Sequence, residues 1–149
     1  MSKVEMQTFC QVLKSIKLPE GYSANISNYV QVQERKILGL KTHDYHVLLH
    51  QLLPVALRST MQNKKTVKVI IDFCGFFSKL CSKVIDARDF EKLGENISEI
   101  MCEMEMLFPP YFFTIMVHLT HHLAEEAAIA GPVHYRWMYP IERLVFRYF

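Results

Sequence analysis

The stretch from Phe108 to Arg143, FPPYFFTIMVHLTHHLAEEAAIAGPVHYRWMYPIER, carries the strongest signal for the fold of this chain. A double proline opens it, and apolar residues then recur at helical spacing from Phe112 to Ile129. A glycine-proline pair follows and supplies a helix stop. Proline is favoured in the first turn of a helix, so a final helix is expected to begin near Pro140.

Upstream of this stretch, apolar residues again recur every three or four positions. The further predicted helices are Phe9 to Ile16, Thr42 to about Thr60, Lys64 to about Val84, and Phe90 to Leu107. Thr42 is expected to cap the second of these, with Asp44 favoured in its first turn by the helix dipole and Pro54 as a kink. The polar segment QVQERK is predicted to be loop or a frayed turn. The expected fold is all-α, an irregular bundle of five or six helices with no sheet, in a single domain over residues 1–149.

Composition excludes several classes of protein. Half of the 149 residues are hydrophobic and the net charge is only +2, which argues against disorder and against a strongly basic nucleic-acid-binding surface. The basic residues Lys64, Lys65 and Lys68 form a weak patch, so DNA binding is predicted to be weak. The four cysteines have no CxxC spacing, and the longest apolar run is too short to cross a membrane. These features predict a soluble, intracellular protein that does not bind membranes.

Histidines and a carboxylate on the predicted Phe112 to Ile129 helix are the first candidate site. His118 with His122, and His121 with Glu125, are spaced to meet across one turn. Two imidazoles at this spacing can bind a metal ion, but zinc sites need a third ligand, which His43, His46 or His50 could supply. HLTHH also has no general-base glutamate between its histidines. We therefore expect a polar helix edge and no metal in the isolated chain.

A second candidate is the cluster His43, Asp44 and His46, which has residue types suited to acid-base chemistry or metal binding. The same cluster lies where a helix would begin. Because Thr42 and Asp44 are favoured at helix N-termini, capping is the expected role.

Glu142 is the third candidate, since it follows RWMYP in what is expected to be the first turn of the last helix. On residue types alone it is a surface glutamate that is favoured by the helix dipole and can pair with Arg136 or Arg143.

Together with GLKTHDYHVLLHQLLPVALR upstream, the Phe108–Arg143 stretch resembles the domain of unknown function that lies downstream of the main catalytic region in plant CACTA-type (En/Spm-like) transposases. The resemblance covers about residues 9–144. It implies a nuclear protein derived from a transposase of the DDE type, in which three acidic residues hold two magnesium ions. Glu142 would then be a remnant of the last acid, and His43, Asp44 and His46 would correspond to an Asp/Cys and His signature. In that signature two positions separate the residues, whereas one position separates Asp44 from His46.

The resemblance does not imply catalysis by this chain alone. The two other acids of such a site lie on strands of an RNase H-like sheet, and no strand is predicted here, so no cofactor is expected in the isolated chain. The family pattern normally continues past WMYPIER with a basic, aromatic segment, whereas LVFRYF stands here, which indicates a truncated piece of a larger transposase-like protein. The expected role is an accessory helical region that packs on the rest of a transposase and contacts DNA ends or partner subunits.

Two other hypotheses remain open. The first is a stand-alone protein-interaction module with an exposed methionine and aromatic surface. The residues of that expected surface are Met101, Met104, Met106, Phe108, Tyr111 and Phe112. The alternative is that the same residues are ordinary core. The second, a metal-dependent hydrolase built on the histidine helices, is the least favoured because no pair of nucleophile and base is apparent.

Overall fold

A computed structural model describes residues 1–17 and 25–133 of the chain. The chain divides into two compact units, unit 1 (Met1–Val67) and unit 2 (Lys68–Phe149). The helix predicted to begin near Pro140 and the candidate acid Glu142 both lie outside the described residues.

Unit 1 begins with helix α1 (Lys3–Ser15). A reciprocal pair of bonds closes its first turn, because the Glu5 backbone N–H donates to Ser2 Oγ at 3.2 Å and the Ser2 backbone N–H donates to Glu5 Oε2 at 2.7 Å. Such a capping box satisfies backbone donors that have no partner within the helix. The helix therefore begins several residues before the predicted segment, and its Leu13 is fully buried.

A small hairpin follows a 3₁₀ turn at Ile26–Tyr29. Strand β1 (Val30–Gln31) pairs antiparallel with β2 (Lys36–Ile37), and Val30 lies opposite Ile37. The prediction of no sheet is wrong at this point. The prediction of loop or turn for QVQERK is confirmed for residues 32–35 and wrong for Gln31 and Lys36, which lie in the strands. Each strand is only two residues long, too short for an alternating pattern to show in the sequence. Arg35, at φ 54°, takes the left-handed conformation that helps to reverse the chain.

The helix predicted from Thr42 to Thr60 is confirmed as three consecutive segments. They are α2 (Thr42–Val47), a π-helical segment (Leu48–Leu52) and α3 (Leu53–Thr60). Pro54 has no backbone N–H, and its ring would clash with the carbonyl of His50 in regular α-helix. The π segment lies where that clash would occur. The helix therefore accommodates Pro54 by widening into a π bulge.

The core of unit 1 consists of apolar side chains from α1, the hairpin and the residue 42–60 helix. Its buried members are Cys10, Leu13, Ile26, Val30, Val47, Leu52 and Ala56.

Unit 2 contains two long helices, α4 (Lys64–Leu80, most of whose length is in this unit) and α5 (Asp89–Leu107). A 3₁₀ turn (Pro110–Phe112), α6 (Ile115–Leu119), a second 3₁₀ turn (Thr120–His122) and α7 (Leu123–Ala130) follow. The buried core of this unit is Val69, Phe76, Leu80, Leu93, Ile97, Ile100, Met104, Ala124 and Ala127.

The helix predicted from Phe112 to Ile129 begins later and is less regular than expected. It starts at Ile115 and tightens into a 3₁₀ turn after Leu119. There the Thr120 hydroxyl donates to the carbonyl of Val117 at 2.6 Å, a local side-chain bond of the kind that distorts helices.

The all-α prediction is otherwise confirmed. Over residues 1–17 and 25–133, the α-helices form five continuous helical runs, because α2 with α3 and α6 with α7 are joined through their π and 3₁₀ segments. Within the same ranges, none of the helices combines the length and the apolar character that a membrane crossing requires.

Candidate functional site

Asp44 serves as a cap in the structure. Its side chain is 1% exposed, and Oδ2 accepts a hydrogen bond of 3.0 Å from the backbone N–H of Lys41. Lys41 is the N-cap position and Thr42 is the first helical residue, so the prediction that Thr42 caps the helix is wrong. Asp44 stabilises the start of α2 in its place, with its carboxylate at the positive end of the helix dipole.

His46 and His50, one turn apart on the helix of residues 42–60, form a half-buried pair. Their ring centroids lie 5.8 Å apart and the ring planes meet at 74°. Burial lowers the pKa of His46, and the charge of His43 lowers it further. Burial likewise lowers the pKa of His50, with a smaller contribution from His46. Both shifts favour the neutral form of the two rings.

One nitrogen of this pair is unsatisfied. His50 Nε2 is buried and has no hydrogen-bond partner among the residues that the structure describes. A buried polar atom without a partner costs roughly 1–3 kcal/mol, so it is rare in native proteins and needs an explanation. His50 is therefore a candidate functional residue, because its buried Nε2 has no hydrogen-bond partner among the described residues.

The three histidines of unit 2 that lie in the described residues have a different environment. His118, His121 and His122 are all exposed. The His118 and His122 ring centroids lie 5.5 Å apart, and those of His121 and His122 lie 5.4 Å apart. His121 Nδ1 is 3.4 Å from the hydroxyl oxygen of Ser98 on α5. The structure therefore brings the predicted pair His118 and His122 together, but at the surface, where water solvates both rings.

The thiols are free and two of them are strongly deactivated. All four cysteines lie in the described residues and none forms a disulfide, as their spacing predicts. Burial raises the pKa of both Cys74 and Cys81 to about 11. Because the thiolate is the nucleophile, neither of these two residues is suited to covalent catalysis near neutral pH.

Unit 2 exposes an apolar surface between α5 and α6. Seven large apolar side chains within 14 consecutive residues are exposed, and we call them the Met106–Leu119 surface. Its members are Met106, Leu107, Tyr111, Phe112, Ile115, Met116 and Leu119. Tyr111 is 86% exposed, Met106 78% and Met116 70%, so these are not edges of the core.

This surface only partly matches the one expected from the sequence. Met104 is buried, and Met101 and Phe108 pack against the core of unit 2, so the expectation that these three are exposed is wrong. Met106, Tyr111 and Phe112 are exposed as expected. The helical period explains the difference, because Met104 continues the inward face formed by Leu93, Ile97 and Ile100, whereas Met106 lies off that face.

The lysine patch at the start of α4 is partly neutralised. Lys68 Nζ lies 3.0 Å from Asp72 Oδ2 and 3.5 Å from Glu103 Oε2. These exposed pairs add little stability, but they reduce the positive potential that Lys64 and Lys65 can offer a phosphate.

A surface cleft of about 430 Å³ lies between the end of α4 and the start of α5. Its lining carries both signs of charge, from Lys79 and Lys92 and from Asp86 and Asp89. Asp86 also pairs with Arg88 at 3.0 Å, and that hydrogen bond lowers the pKa of its carboxyl group. Charges of opposite sign cancel much of the field, so the cleft favours neither an anion nor a cation strongly.

Comparison with known protein families finds a match to a family whose function is unknown. Residues 80–148 match the model of a family described as "Domain of unknown function (DUF4218)". The match takes in α5, α6 and α7 and continues beyond the described residues. It confirms a domain of unknown function over a shorter range than residues 9–144. No curated protein matches the chain. No solved structure matches it either.

His50 is the functional candidate that the sequence left in the background. The spacing of His43, His46 and His50 on one face was visible, but it does not distinguish an exposed edge from a half-buried one. The apolar neighbours Val47, Leu48 and Leu52 were the available signal, since they place part of this helix in the core of unit 1.

Proposed function

We propose that this chain is a transposon-derived, non-catalytic helical region that serves a DDE-type transposase in the nucleus as an accessory domain. The resemblance of its sequence motifs to the domain of CACTA-type transposases supports this role. The family match at residues 80–148 is to a domain of unknown function and assigns no role by itself. The observation that carries the proposal is the Met106–Leu119 surface, which lies wholly inside the matched residues.

The number of exposed apolar side chains on the Met106–Leu119 surface favours a polypeptide partner. Burying one fully exposed large apolar side chain is worth roughly 1.5–3 kcal/mol. Four side chains of this surface are at least 70% exposed and are therefore costly to leave in water: Met106, Tyr111, Ile115 and Met116. Contiguous apolar patches rimmed by polar residues are typical of protein-protein interfaces. The rest of the parent transposase, which must hold the accessory region against its catalytic core, is the proposed partner.

The described residues also support a role without catalysis. Asp44 is the carboxylate of the His43, Asp44 and His46 cluster, and it is buried and bonded to the Lys41 backbone N–H. Magnesium prefers carboxylate oxygens that are open to it and to water, so this cluster does not fit a magnesium site. Magnesium belongs to a complete transposase, whose remaining acids the resemblance places on another part of the parent.

The runner-up is a stand-alone interaction module that uses the same Met106–Leu119 surface for an unrelated protein. The exposed methionines Met106 and Met116 favour it, because their flexible side chains adapt to varied partners. The flanking genomic reading frame separates the two functions. A strand-rich, acidic region encoded just upstream supports the transposase role, and its absence supports the module.

Binding to the catalytic part of a transposase is the direct test. The chain is titrated by calorimetry against the purified RNase H-like catalytic region of a CACTA-type transposase, and we expect a saturable complex. The double variant Ile115→Ser with Met116→Ser should weaken it about tenfold or more, which corresponds to about 1.4 kcal/mol. Val55→Ser is the matched control, because Val55 is 61% exposed in unit 1 and should not change binding. Absence of binding by the natural chain, or equal binding by the double variant, contradicts the proposal.

A further inference from the structure

His46 and His50 share one face of the helix of residues 42–60, and the ligand atoms of the two rings lie within 4.8 Å of each other. His50 Nε2 is buried, with no hydrogen-bond partner among the described residues. We propose that His46 and His50 form a two-histidine site for a divalent transition-metal ion of the Zn²⁺, Ni²⁺ and Cu²⁺ class.

The spacing fits such an ion after a small adjustment. Zinc binds imidazole nitrogen at about 2.0–2.1 Å, and in tetrahedral geometry this holds two nitrogens roughly 3.4 Å apart. The proposed site requires rotation about the χ torsions of the two rings to shorten the present separation of up to 4.8 Å. A bound ion would also give His50 Nε2 the partner that it lacks, which removes the desolvation cost of that atom.

The chemistry of the donors selects the class of metal. Imidazole is a ligand for zinc, copper and nickel, whereas magnesium and calcium take oxygen ligands. Burial lowers the pKa of each ring, which favours the neutral form that a metal ion requires. Water fills the other coordination positions. Since structural zinc sites use four protein ligands, a two-histidine site should bind more weakly than they do, in the micromolar range or above.

The His118 and His122 pair in unit 2 provides a matched comparison inside the same chain. Its two histidines are also four residues apart and their rings also lie edge to face, at 5.5 Å. Both are exposed, so water already satisfies their nitrogens and a metal ion gains less by replacing it. The proposal therefore assigns the stronger binding to His46 and His50.

The test is calorimetric titration of Zn²⁺ into the full chain at about pH 7, in a Cys102→Ser background that removes the exposed thiol. We expect one ion per chain at a micromolar or weaker affinity. His50→Gln, and separately His46→Gln, should each weaken binding at least about tenfold, because even the loss of a group that only orients a metal ligand typically costs 10–100-fold. The double variant His118→Gln with His122→Gln should change the affinity less than about twofold.

Imidazole resonances give a readout that does not depend on the variants folding. In nuclear magnetic resonance spectra of the otherwise natural chain, substoichiometric Zn²⁺ should shift the ring signals of His46 and His50 before those of His118 and His122. No heat of binding, an affinity that survives both single variants, or first shifts at His118 and His122 overturns the proposal.

Discussion

Unit 1 and unit 2 are both helical, yet they differ in what they bury and what they expose. Unit 1 half-buries His46 and His50, and its exposed large apolar residues are scattered along the sequence from Met1 to Val55. Unit 2 exposes all three of its described histidines and concentrates its exposed apolar residues in the Met106–Leu119 surface. Similar sequence motifs therefore have different properties in the two units. Burial determines whether a histidine is solvated and whether an apolar residue belongs to the core.

The largest expected effect separates the core of unit 2 from its exposed surface. Phe76→Ala should lower the free energy of unfolding by about 3–5 kcal/mol, because Phe76 is 1% exposed and its loss leaves a cavity. Tyr111→Ala, at a residue that is 86% exposed, should change it by less than about 0.5 kcal/mol. Urea denaturation measures both.

If Phe76→Ala and Tyr111→Ala lowered the free energy of unfolding by similar amounts, the Met106–Leu119 surface would be part of the core and not an interface. The same experiment tests the prediction of a single domain, since one cooperative transition across the chain would confirm it.

A second, smaller effect tests which residue caps the histidine-bearing helix of unit 1. Asp44→Ala should destabilise the chain by about 0.5–2 kcal/mol, because it removes the acceptor for the Lys41 N–H. Thr42→Ala is the control and should be close to neutral, since Thr42 is exposed within the first turn. Thermal unfolding measures the stability of both variants. A larger loss of stability in Thr42→Ala than in Asp44→Ala would show that Thr42 caps the helix, as the sequence predicted.

Periodicity predicted most of the fold. Leu93, Ile97 and Ile100 recur at helical spacing and are buried as that spacing requires. Helix ends were harder to predict, because they depend on single local bonds. The helix predicted from Lys64 to about Val84 ends at Leu80, and Val84 is 83% exposed.

The candidate sites were less predictable than the helices. Sequence spacing placed His46 near His50 and His118 near His122, and the structure confirms both proximities. Spacing gave no information on burial, which comes from long-range packing and distinguishes the two pairs. Pro54 indicated a distortion of this helix, but the sequence did not show that the distortion is a π segment containing His50.

The buried thiols of unit 2 predict how stability responds to alkaline pH. Folding raises the pKa of Cys74 from 9.0 to about 11, so the folded state holds this proton more firmly than the unfolded state does. The contribution to stability is therefore complete below about pH 9 and is lost as pH rises from about 9 towards 11. Cys74→Ala should make the fall in unfolding free energy over this range shallower, measured by urea denaturation at several pH values.

Cys102 is the control, because it is exposed. Cys102→Ala should leave the alkaline dependence unchanged, and in the natural chain Cys102 should react with iodoacetamide before Cys74 does. Faster labelling of Cys74 would show that unit 2 is more open than its core indicates.

The smallest expected effect is on DNA binding. DNA binds to basic surfaces, whereas the exposed Met106–Leu119 surface of unit 2 is apolar. With a net charge of +2 and Lys68 paired to Asp72, the chain should have negligible affinity for DNA at about 150 mM salt. Fluorescence anisotropy with transposon-end and scrambled duplexes measures this. Any binding should be weak, sequence-tolerant and lost with added salt, whereas tight and selective binding to transposon ends would make the chain a DNA reader.

Hydrogen exchange on the complex with the RNase H-like catalytic region tests the proposed accessory role most directly. On binding, peptides that span residues 106–119 of unit 2 should gain protection, while peptides around His46 and His50 in unit 1 should not. The Ile115→Ser, Met116→Ser variant should lose that protection, and Val55→Ser should keep it. Protection confined to unit 1, or no protection at residues 106–119 in a complex that does form, would contradict the assignment of the Met106–Leu119 surface as the interface.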